Sequence, residues 1–392
     1  MSTKKNAVFA YIGLHVFYLG EVSMTAGFAV LFLSSRGLSN TAIGTATALA
    51  RMLSIFAVKS LSQRLDADKK LMKTVFPAAA GMLLLLHILL VFTGRSLALT
   101  CAVFTGLSLL SALCGSLLVI LYADLEFAGS RINFGLSRGL GSLSYTAVSY
   151  VAGGLVAVRS LEIVPIIGIL ASAGLFVDAF LLCTRIRPAE TAPEKDAGNG
   201  AELLGYIRSR KGLGIFFTGV LLLFMAYYAG NSFAVNMIRS IGGSGHELGT
   251  YNALGALIEV PFMIFFSKAS VKNSRFLFRV SLLLMTGKAL ILALSRNMAW
   301  VYGAAVLQGS SYGLYTPAAV NYIKSRTSYA NAAKGQSVIS IASSLGGVCG
   351  MLIVGRLLDL LPVRDVLLLL TAVSAAGAAT LWIATERISS ET

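Results

Sequence analysis

Charged residues are scarce in this chain of 392 residues: Asp, Glu, Lys and Arg make up 12% of it, against 56% hydrophobic residues. Soluble domains carry roughly 25% charged residues, so the composition excludes an ordinary water-soluble fold. The apolar residues form runs of about 20, which cross the hydrocarbon core of a bilayer as a helix. Continuous runs favour helices over the alternating strands of a barrel. The sequence therefore predicts an all-α polytopic membrane protein.

Cysteine and histidine are also few, with four and three copies. The cysteines (Cys101, Cys114, Cys183 and Cys349) all fall in apolar runs, which argues against a disulfide framework and a metal cluster. The chain has no pairing of a nucleophile with a base and no P-loop, which a membrane ATPase would need. We expect no enzyme activity, no metal and no cofactor, and a proton gradient as the energy source.

Twelve apolar spans divide the chain into two halves of six. The one long polar stretch, residues 187–211, is rich in Pro, Glu, Lys and Gly and is typical of a linker. The sequence predicts an N-terminal six-helix bundle over 1–186, this linker, and a C-terminal bundle with a short tail over 212–392. The spans are 9–34, 41–60, 71–93, 97–122, 135–158, 162–184, 212–238, 248–268, 274–294, 298–323, 333–357 and 362–384.

The connections between spans alternate in charge. Of the Lys and Arg residues, 23 lie in the two termini and every second connection, and only 7 in the other connections. This bias is the positive-inside rule, and it predicts that both termini and the linker are cytoplasmic. The net charge of +15 then reflects topology and contact with anionic headgroups of membrane lipid, not nucleic-acid binding. No cleavable signal peptide is evident, and we expect a multi-pass protein of the cell's cytoplasmic membrane.

Four ionisable residues fall near the middle of predicted spans. Glu21 and Arg51 lie on the antiparallel spans 1 and 2, and Glu259 and Lys288 on spans 8 and 9. Each half thus has one candidate acid–base pair, and an unpaired charge at this depth would cost about 2.5–3.5 kcal/mol. Two interpretations stay open: an ion pair that fixes helix packing, or a site for protons or substrate.

Further polar residues interrupt the apolar spans. His15 belongs to a polar face of span 1, whereas His87 is interpreted as a packing residue. Asn231 lies on span 7, and Gln308 and Tyr312 on span 10 follow helical spacing that places them on one face. Such a face either lines a cavity or contacts a neighbouring helix.

Two motifs point to a known family. The stretch "NFGLSRGLGSLSYTAVSYVAGGL", Asn133–Leu155, resembles a pattern of the lactose-permease-like branch (oligosaccharide:proton symporters, MFS_1-like) of the major facilitator superfamily. That pattern has an aromatic–Gly pair, an Arg three residues after the Gly, and a later aromatic residue. "EVPFMIFF", which starts at Glu259, resembles the branch's Glu-x-Pro signature on helix 8. The resemblance covers essentially the whole chain.

This resemblance implies a set of substrate contacts. In the branch, the Arg contacts a sugar and the aromatic residue stacks on it, and these positions are Arg138 and Tyr145 here. Asp124 best matches the acidic partner expected on helix 4. We therefore expect these residues, together with His15, Asn231, Gln308 and Tyr312, to bind the substrate.

The sequence also departs from the branch. The His and Glu that lactose permease uses on helix 10 for proton coupling are replaced by Gln308 and Ser311. Lactose is therefore unsupported as a substrate, and proton coupling would rest on Glu259, Glu21 or Asp124. Burial in a medium of low dielectric favours the neutral form of a carboxyl group. Glu259 would then exchange a proton, tuned by Lys288.

The resemblance implies a secondary transporter with two bundles that rock about a cavity at the membrane midplane. We expect a monomer that takes up a small polar, sugar-like solute with protons. The first alternative is proton-driven efflux of amphipathic drugs or metabolites, and the cationic side chains at mid-depth favour polar or anionic solutes over it. The second alternative is a membrane sensor that does not transport.

Overall fold

The protein is helical throughout the parts that the computed structural model describes, which are residues 2–94, 96–127, 130, 132–185, 211–267, 273–326 and 329–390. This confirms the all-α prediction. The helices are α1 (Ser2–Val22), α2 (Ala29–Ser35), α3 (Asn40–Ala67), α4 (Met72–Phe92), α5 (Leu97–Phe127), α6 (Phe134–Val158), α7 (Ile163–Arg185), α8 (Lys211–Ser232), α9 (Ala234–Ser240), α10 (Gly245–Ser267), α11 (Ser274–Ala293), α12 (Met298–Arg326), α13 (Tyr329–Leu358) and α14 (Val363–Ser390).

Eleven helical segments in these ranges are long and apolar enough to cross a membrane. The remaining predicted span, 298–323, coincides with α12, a helix of 29 residues. Its middle carries Gln308, Gly309, Ser310, Ser311 and Tyr312, which make it less apolar than the other spans. Polar side chains inside a membrane bundle often mark functional positions. Helix α12 is therefore a candidate for carrying site residues.

The described residues divide into two compact units. The first contains residues up to 185 together with 244–253, and the second contains 211–243 and 254–390. The start of α10 thus belongs to the first unit and its remainder to the second. The predicted linker, 187–211, lies outside the described residues except for Lys211.

In the first unit, α1 packs against α6 and α7, α4 packs against α5 and α7, and α3 packs against α5. Small residues permit the closest of these approaches. A Cβ atom on Gly141 of α6 would lie 2.7 Å from the carbonyl oxygen of His15 on α1. Small residues at helix contacts are the usual means of close packing in membranes.

The first span is not one regular α-helix. Residues Ser23–Gly27 form a π-helical turn between α1 and α2, with Ser23, Met24 and Thr25 buried. Such π turns hold one residue more than an α turn and often mark functional sites. The turn lies directly after Glu21, so it shapes the surroundings of this acid.

In the second unit, α8 packs against α13 and α14, and α11 packs against α12 and α14. The rings of Phe216, Phe278 and Tyr322 stack in its core, with centroids of 5.9 Å for the first two and 5.5 Å for the last two. All three side chains are fully buried. This aromatic stack holds α8, α11 and α12 together.

We predict that Gly350→Ala destabilises the second unit. A Cβ atom on Gly350 of α13 would overlap the carbonyl oxygen of Met225 on α8, and overpacking of this kind costs about 1–3 kcal/mol. The midpoint of thermal unfolding in detergent should fall. Gly303→Ala is the matched control, because a Cβ there meets nothing within 4 Å. Equal midpoints for the two variants would contradict the close contact of α8 with α13.

Candidate functional site: two buried polar clusters

The carboxylate of Glu21 is completely buried in the first unit. One oxygen accepts a hydrogen bond from the hydroxyl of Thr25, and the other accepts one from the hydroxyl of Ser111 at 2.7 Å. The Nε2 atom of His87 lies 3.8 Å from the first oxygen. Neutral hydroxyl groups and an imidazole therefore surround this acid, whereas the sequence pattern predicts Arg51 as its partner.

Three elements position these groups around Glu21. Glu21 and Thr25 are four residues apart, which places them on one face of the first span. Ser111 comes from α5 and His87 from α4. These two helices pack against each other, and the side chains of Ser111 and His87 both reach Glu21.

The ring of His87 has a fixed orientation. Its Nδ1 atom lies 3.1 Å from the carbonyl oxygen of Leu83, one turn earlier on α4. A carbonyl oxygen only accepts hydrogen bonds, so Nδ1 carries a proton. The other nitrogen, Nε2, faces the Thr25 hydroxyl at 3.4 Å and is the atom that gains or loses a proton.

A second group of polar residues in this unit includes three of the predicted substrate contacts. The ring of His15 lies edge-on to Tyr11 and Phe134, with centroid separations of 4.8 and 5.7 Å. Arg138 lies within electrostatic reach of His15 and of Tyr18. The third, Tyr145, has its hydroxyl 2.8 Å from the Cβ position of Gly27, where the π turn ends. A side chain at position 27 would displace that hydroxyl.

Asp124 has a different partner from the one the family resemblance implies. Its carboxylate lies 3.3 Å from the ammonium of Lys69, which also contacts Asp66 at 3.1 Å. Lys69 begins a 3₁₀ turn that precedes α4. The ion pair therefore ties α5 to the connection between α3 and α4.

In the second unit, the ammonium of Lys288 is buried and donates a hydrogen bond to the side-chain oxygen of Asn231 at 2.5 Å. The sequence pattern predicts Glu259 as its partner, but the acceptor is a neutral amide. A cavity with room for about one water molecule borders Lys288, with Tyr227 and Ser374 also in its wall. Two predicted residues, Lys288 and Asn231, are thus brought together.

Glu259 lies half-buried on α10. The backbone around it packs closely on α12, where a Cβ atom on Gly313 would lie 2.8 Å from the carbonyl oxygen of Glu259. A Cβ on Gly309 would lie 2.9 Å from its amide nitrogen. Glycines on α12 therefore allow the closest approach of these two helices.

Gln308 and Tyr312 lie together on one side of α12. The Gln308 amide donates a hydrogen bond to the hydroxyl of Tyr227 at 2.5 Å, and the Tyr227 ring stacks on Tyr312 with centroids 5.2 Å apart. Phe224 contacts the rings of both Tyr227 and Tyr315, at 5.5 and 5.2 Å. These five residues form the aromatic cluster of the second unit.

Two polar atoms of this cluster are buried without a hydrogen-bond partner among the described residues: Oε1 of Gln308 and the hydroxyl of Tyr315. Buried polar atoms are nearly always bonded in native proteins. Both atoms therefore keep unused hydrogen-bonding capacity beside the stacked rings.

The sequence matches the MFS_1 like family over residues 9–368. The chain belongs to this family. It is therefore a multi-pass membrane protein and a secondary transporter of the major facilitator type, not an enzyme, as the motifs at Asn133–Leu155 and Glu259 imply. No curated protein matches the chain by sequence.

Solved structures of transporters share the fold of this MFS_1 like protein. The nucleoside transporter NupG is 15% identical with a TM-score of 0.75, covering 98% of this chain and 99% of that one. A bacterial homologue of the human lysosomal transporter Spinster, inward-facing and unoccupied, is 12% identical with a TM-score of 0.78, covering 99% and 98%. The human organic anion transporter MFSD10 is 13% identical with a TM-score of 0.65, covering 96% and 99%. At these identities the likeness concerns the fold alone.

The sequence pattern did not identify Thr25, Ser111 or His87 as site residues. The spacing of four between Glu21 and Thr25 was a readable signal for the first. Ser111 and His87 lie in long apolar runs with no local motif, and only the packing of α4, α5 and α1 brings them to the acid.

We predict that Asn231→Leu lowers the stability of the second unit by about 2 kcal/mol, because it leaves a buried ammonium without its acceptor. Lys288→Met should cost less than this, because it removes the buried charge and leaves only the half-buried amide of Asn231 without that donor. The double variant should then recover most of the loss. Midpoints of thermal unfolding in detergent measure all three, and additive losses would contradict the coupling of Lys288 with Asn231.

Proposed function

We propose that this MFS_1 like transporter couples the movement of a small polar organic solute to protons, and that Glu21 is the acid that takes up and releases the proton. The observation that supports this is the complete burial of a carboxylate held by two hydroxyl groups and an imidazole. Among the described residues no Arg or Lys bonds to Glu21, so no fixed cation stabilises the charged form. In a medium of low dielectric, the neutral carboxyl form of Glu21 then competes with the charged carboxylate.

Glu21 fits this role better than the other acids at mid-depth. Glu259 is only half-buried, and Asp124 forms an ion pair with the ammonium of Lys69. Lys288, buried beside a neutral amide, is a second group whose charge would change during the cycle. We therefore propose Lys288 as a coupling residue of the second unit and Glu21 of the first unit as the proton carrier.

The solute that suits the second unit is a ring-bearing compound with hydroxyl groups. Stacked Tyr227 and Tyr312 rings offer a flat apolar face, and Oε1 of Gln308 would accept a hydrogen bond from a hydroxyl. Sugars and nucleosides have this combination, and the fold is shared with a protein described as a nucleoside transporter. In the first unit, Arg138, His15 and Tyr145 are the proposed contacts. We propose uptake through the cytoplasmic membrane by a monomer with both termini inside.

Efflux of amphipathic aromatic compounds is the second candidate. It is favoured by the same aromatic cluster, in which Phe224, Tyr227 and Tyr315 pack ring against ring. A solute screen decides between the two candidates. The purified protein would be heated with sugars, nucleosides, aromatic acids or antibiotics, and the compound that raises the unfolding midpoint most defines the class.

We predict that Glu21→Gln uncouples transport. With the stabilising solute from the screen in proteoliposomes, accumulation driven by an inward proton gradient should fall at least about tenfold, a loss of 1.4 kcal/mol or more in driving force. Exchange of internal for external solute needs no net proton movement and should persist. Glu259→Gln, the equivalent change in the other half, should keep gradient-driven accumulation. If Glu259→Gln abolishes accumulation and Glu21→Gln does not, the proton carrier is misassigned.

We predict that Gln308→Met weakens binding of a hydroxylated solute about tenfold, since it removes a buried acceptor worth about 1.4 kcal/mol. Tyr312→Phe keeps the stacked ring and should bind as the native protein does, whereas Tyr312→Leu should not. Titrations of the thermal shift measure each affinity. Unchanged affinity in both Gln308→Met and Tyr312→Leu would place the solute elsewhere.

A further inference from the structure

A chain of three polar side chains runs through the interior of the first unit, from Glu21 through Thr25 to His87. We propose that these residues form a proton relay, in which the Thr25 hydroxyl passes a proton between His87 and the Glu21 carboxyl group. This inference rests on the proposed role of Glu21 as proton carrier. It adds the route by which the proton reaches that acid.

The distance between His87 and Glu21 means that a proton passes between them only through Thr25. Nε2 of His87 lies 3.8 Å from the nearer Glu21 oxygen, which is too long for a direct hydrogen bond. The Thr25 hydroxyl bonds to that same oxygen and lies 3.4 Å from Nε2. A hydroxyl group both donates and accepts, so it is able to receive a proton on one side and release one on the other.

The hydrogen bonds of Glu21 and His87 allow two states, which differ in the position of one proton. In the first state, the neutral Glu21 acid donates to Thr25, and Thr25 donates to the unprotonated Nε2 of His87. In the second, Thr25 donates to a Glu21 carboxylate, and a doubly protonated His87 donates to Thr25.

To pass from the first state to the second, the Glu21 O–H bond breaks and its proton binds the Thr25 oxygen. The former hydroxyl proton of Thr25 then forms the Nε2–H bond. No atom is gained or lost, and Nδ1 keeps its proton on the Leu83 carbonyl throughout.

A small cavity borders the relay. It has room for about one water molecule, and its wall contains Thr25 and His87 together with apolar residues such as Phe32, Leu90 and Val164. Phe32 lies in the short helix α2, Leu90 near the end of α4, and Val164 at the start of α7. These three helices adjoin connections poor in Lys and Arg on this side, which the charge bias assigns to the outer face. A proton entering from outside therefore meets His87 and Thr25 before Glu21.

The other groups that face the relay do not offer an alternative base. Tyr18 and Cys114 lie within electrostatic reach of Glu21, and both are neutral in their ordinary state. Arg138 faces Tyr18. On the side of α7, the ring of His87 rests against Gly168, where a Cβ atom would overlap it. From α5, Ser111 bonds to the oxygen of Glu21 away from Thr25.

The test compares Thr25→Val, which keeps the shape of the side chain but has no hydroxyl, with Thr25→Ser, which keeps the hydroxyl. In proteoliposomes with the solute found by the thermal-shift screen, Thr25→Val and His87→Gln should slow gradient-driven uptake at least about tenfold, in the range of lost acid–base transfer. Thr25→Ser should stay within about twofold of the native rate. Exchange without net proton movement should persist in all three variants.

The protonation of His87 is also measurable by NMR in the native protein, so the test does not depend on every variant folding. The chain has only three histidines, so ¹⁵N spectra of labelled protein in nanodiscs are assigned with His15→Gln and His246→Gln. The relay requires Nε2 of His87 to gain a proton within the pH range in which uptake responds to the gradient.

The outcomes separate the relay from the function that it serves. Native uptake without any response to a proton gradient would overturn the proposed coupling. If uptake does respond, and Glu21→Gln abolishes the response, the coupling stands. The relay is then wrong if Thr25→Val behaves as Thr25→Ser does, or if His87 stays singly protonated across that pH range.

Discussion

A carboxyl group enclosed by apolar helices must find its hydrogen-bond donors within the protein, because lipid supplies none. Glu21 imposes this constraint on the first unit. Its oxygens are bonded by Thr25 from the π turn and Ser111 from α5, while His87 of α4 lies beside them. Three spans therefore meet at one acid, and the hydrogen bonds to this acid connect the first span to α5.

In the second unit, a buried cationic group likewise has a neutral hydrogen-bond partner. Lys288 is buried, and its acceptor is the neutral side chain of Asn231. In each unit a titratable group is therefore held by neutral partners within that unit. A strong ion pair would fix both charges, whereas a neutral partner accommodates either protonation state at a moderate difference in free energy. This is a property expected of groups that load and release protons during transport.

The sequence predicts the helical fold and the family, because apolar runs and motifs are local signals. It does not predict the partners of the ionisable residues. The expected pairing of Glu21 with Arg51 assumes that consecutive antiparallel spans face each other, but α1 packs mainly on α6 and α7. Likewise α11 carries Lys288 towards Asn231 of α8. Partner choice depends on the order in which helices pack, which no single segment of sequence encodes.

The π turn at Ser23–Gly27 also has a consequence for comparing the first span with that of a related chain. One surplus residue rotates everything beyond it by about 100° relative to a continuous α-helix. The stretch Phe28–Leu33, buried at six successive positions, therefore takes its angular setting from the π turn. A relative that lacks this residue would carry the same amino acids on a differently turned helix. Alignments of such relatives without a gap here would compare side chains that point in unrelated directions.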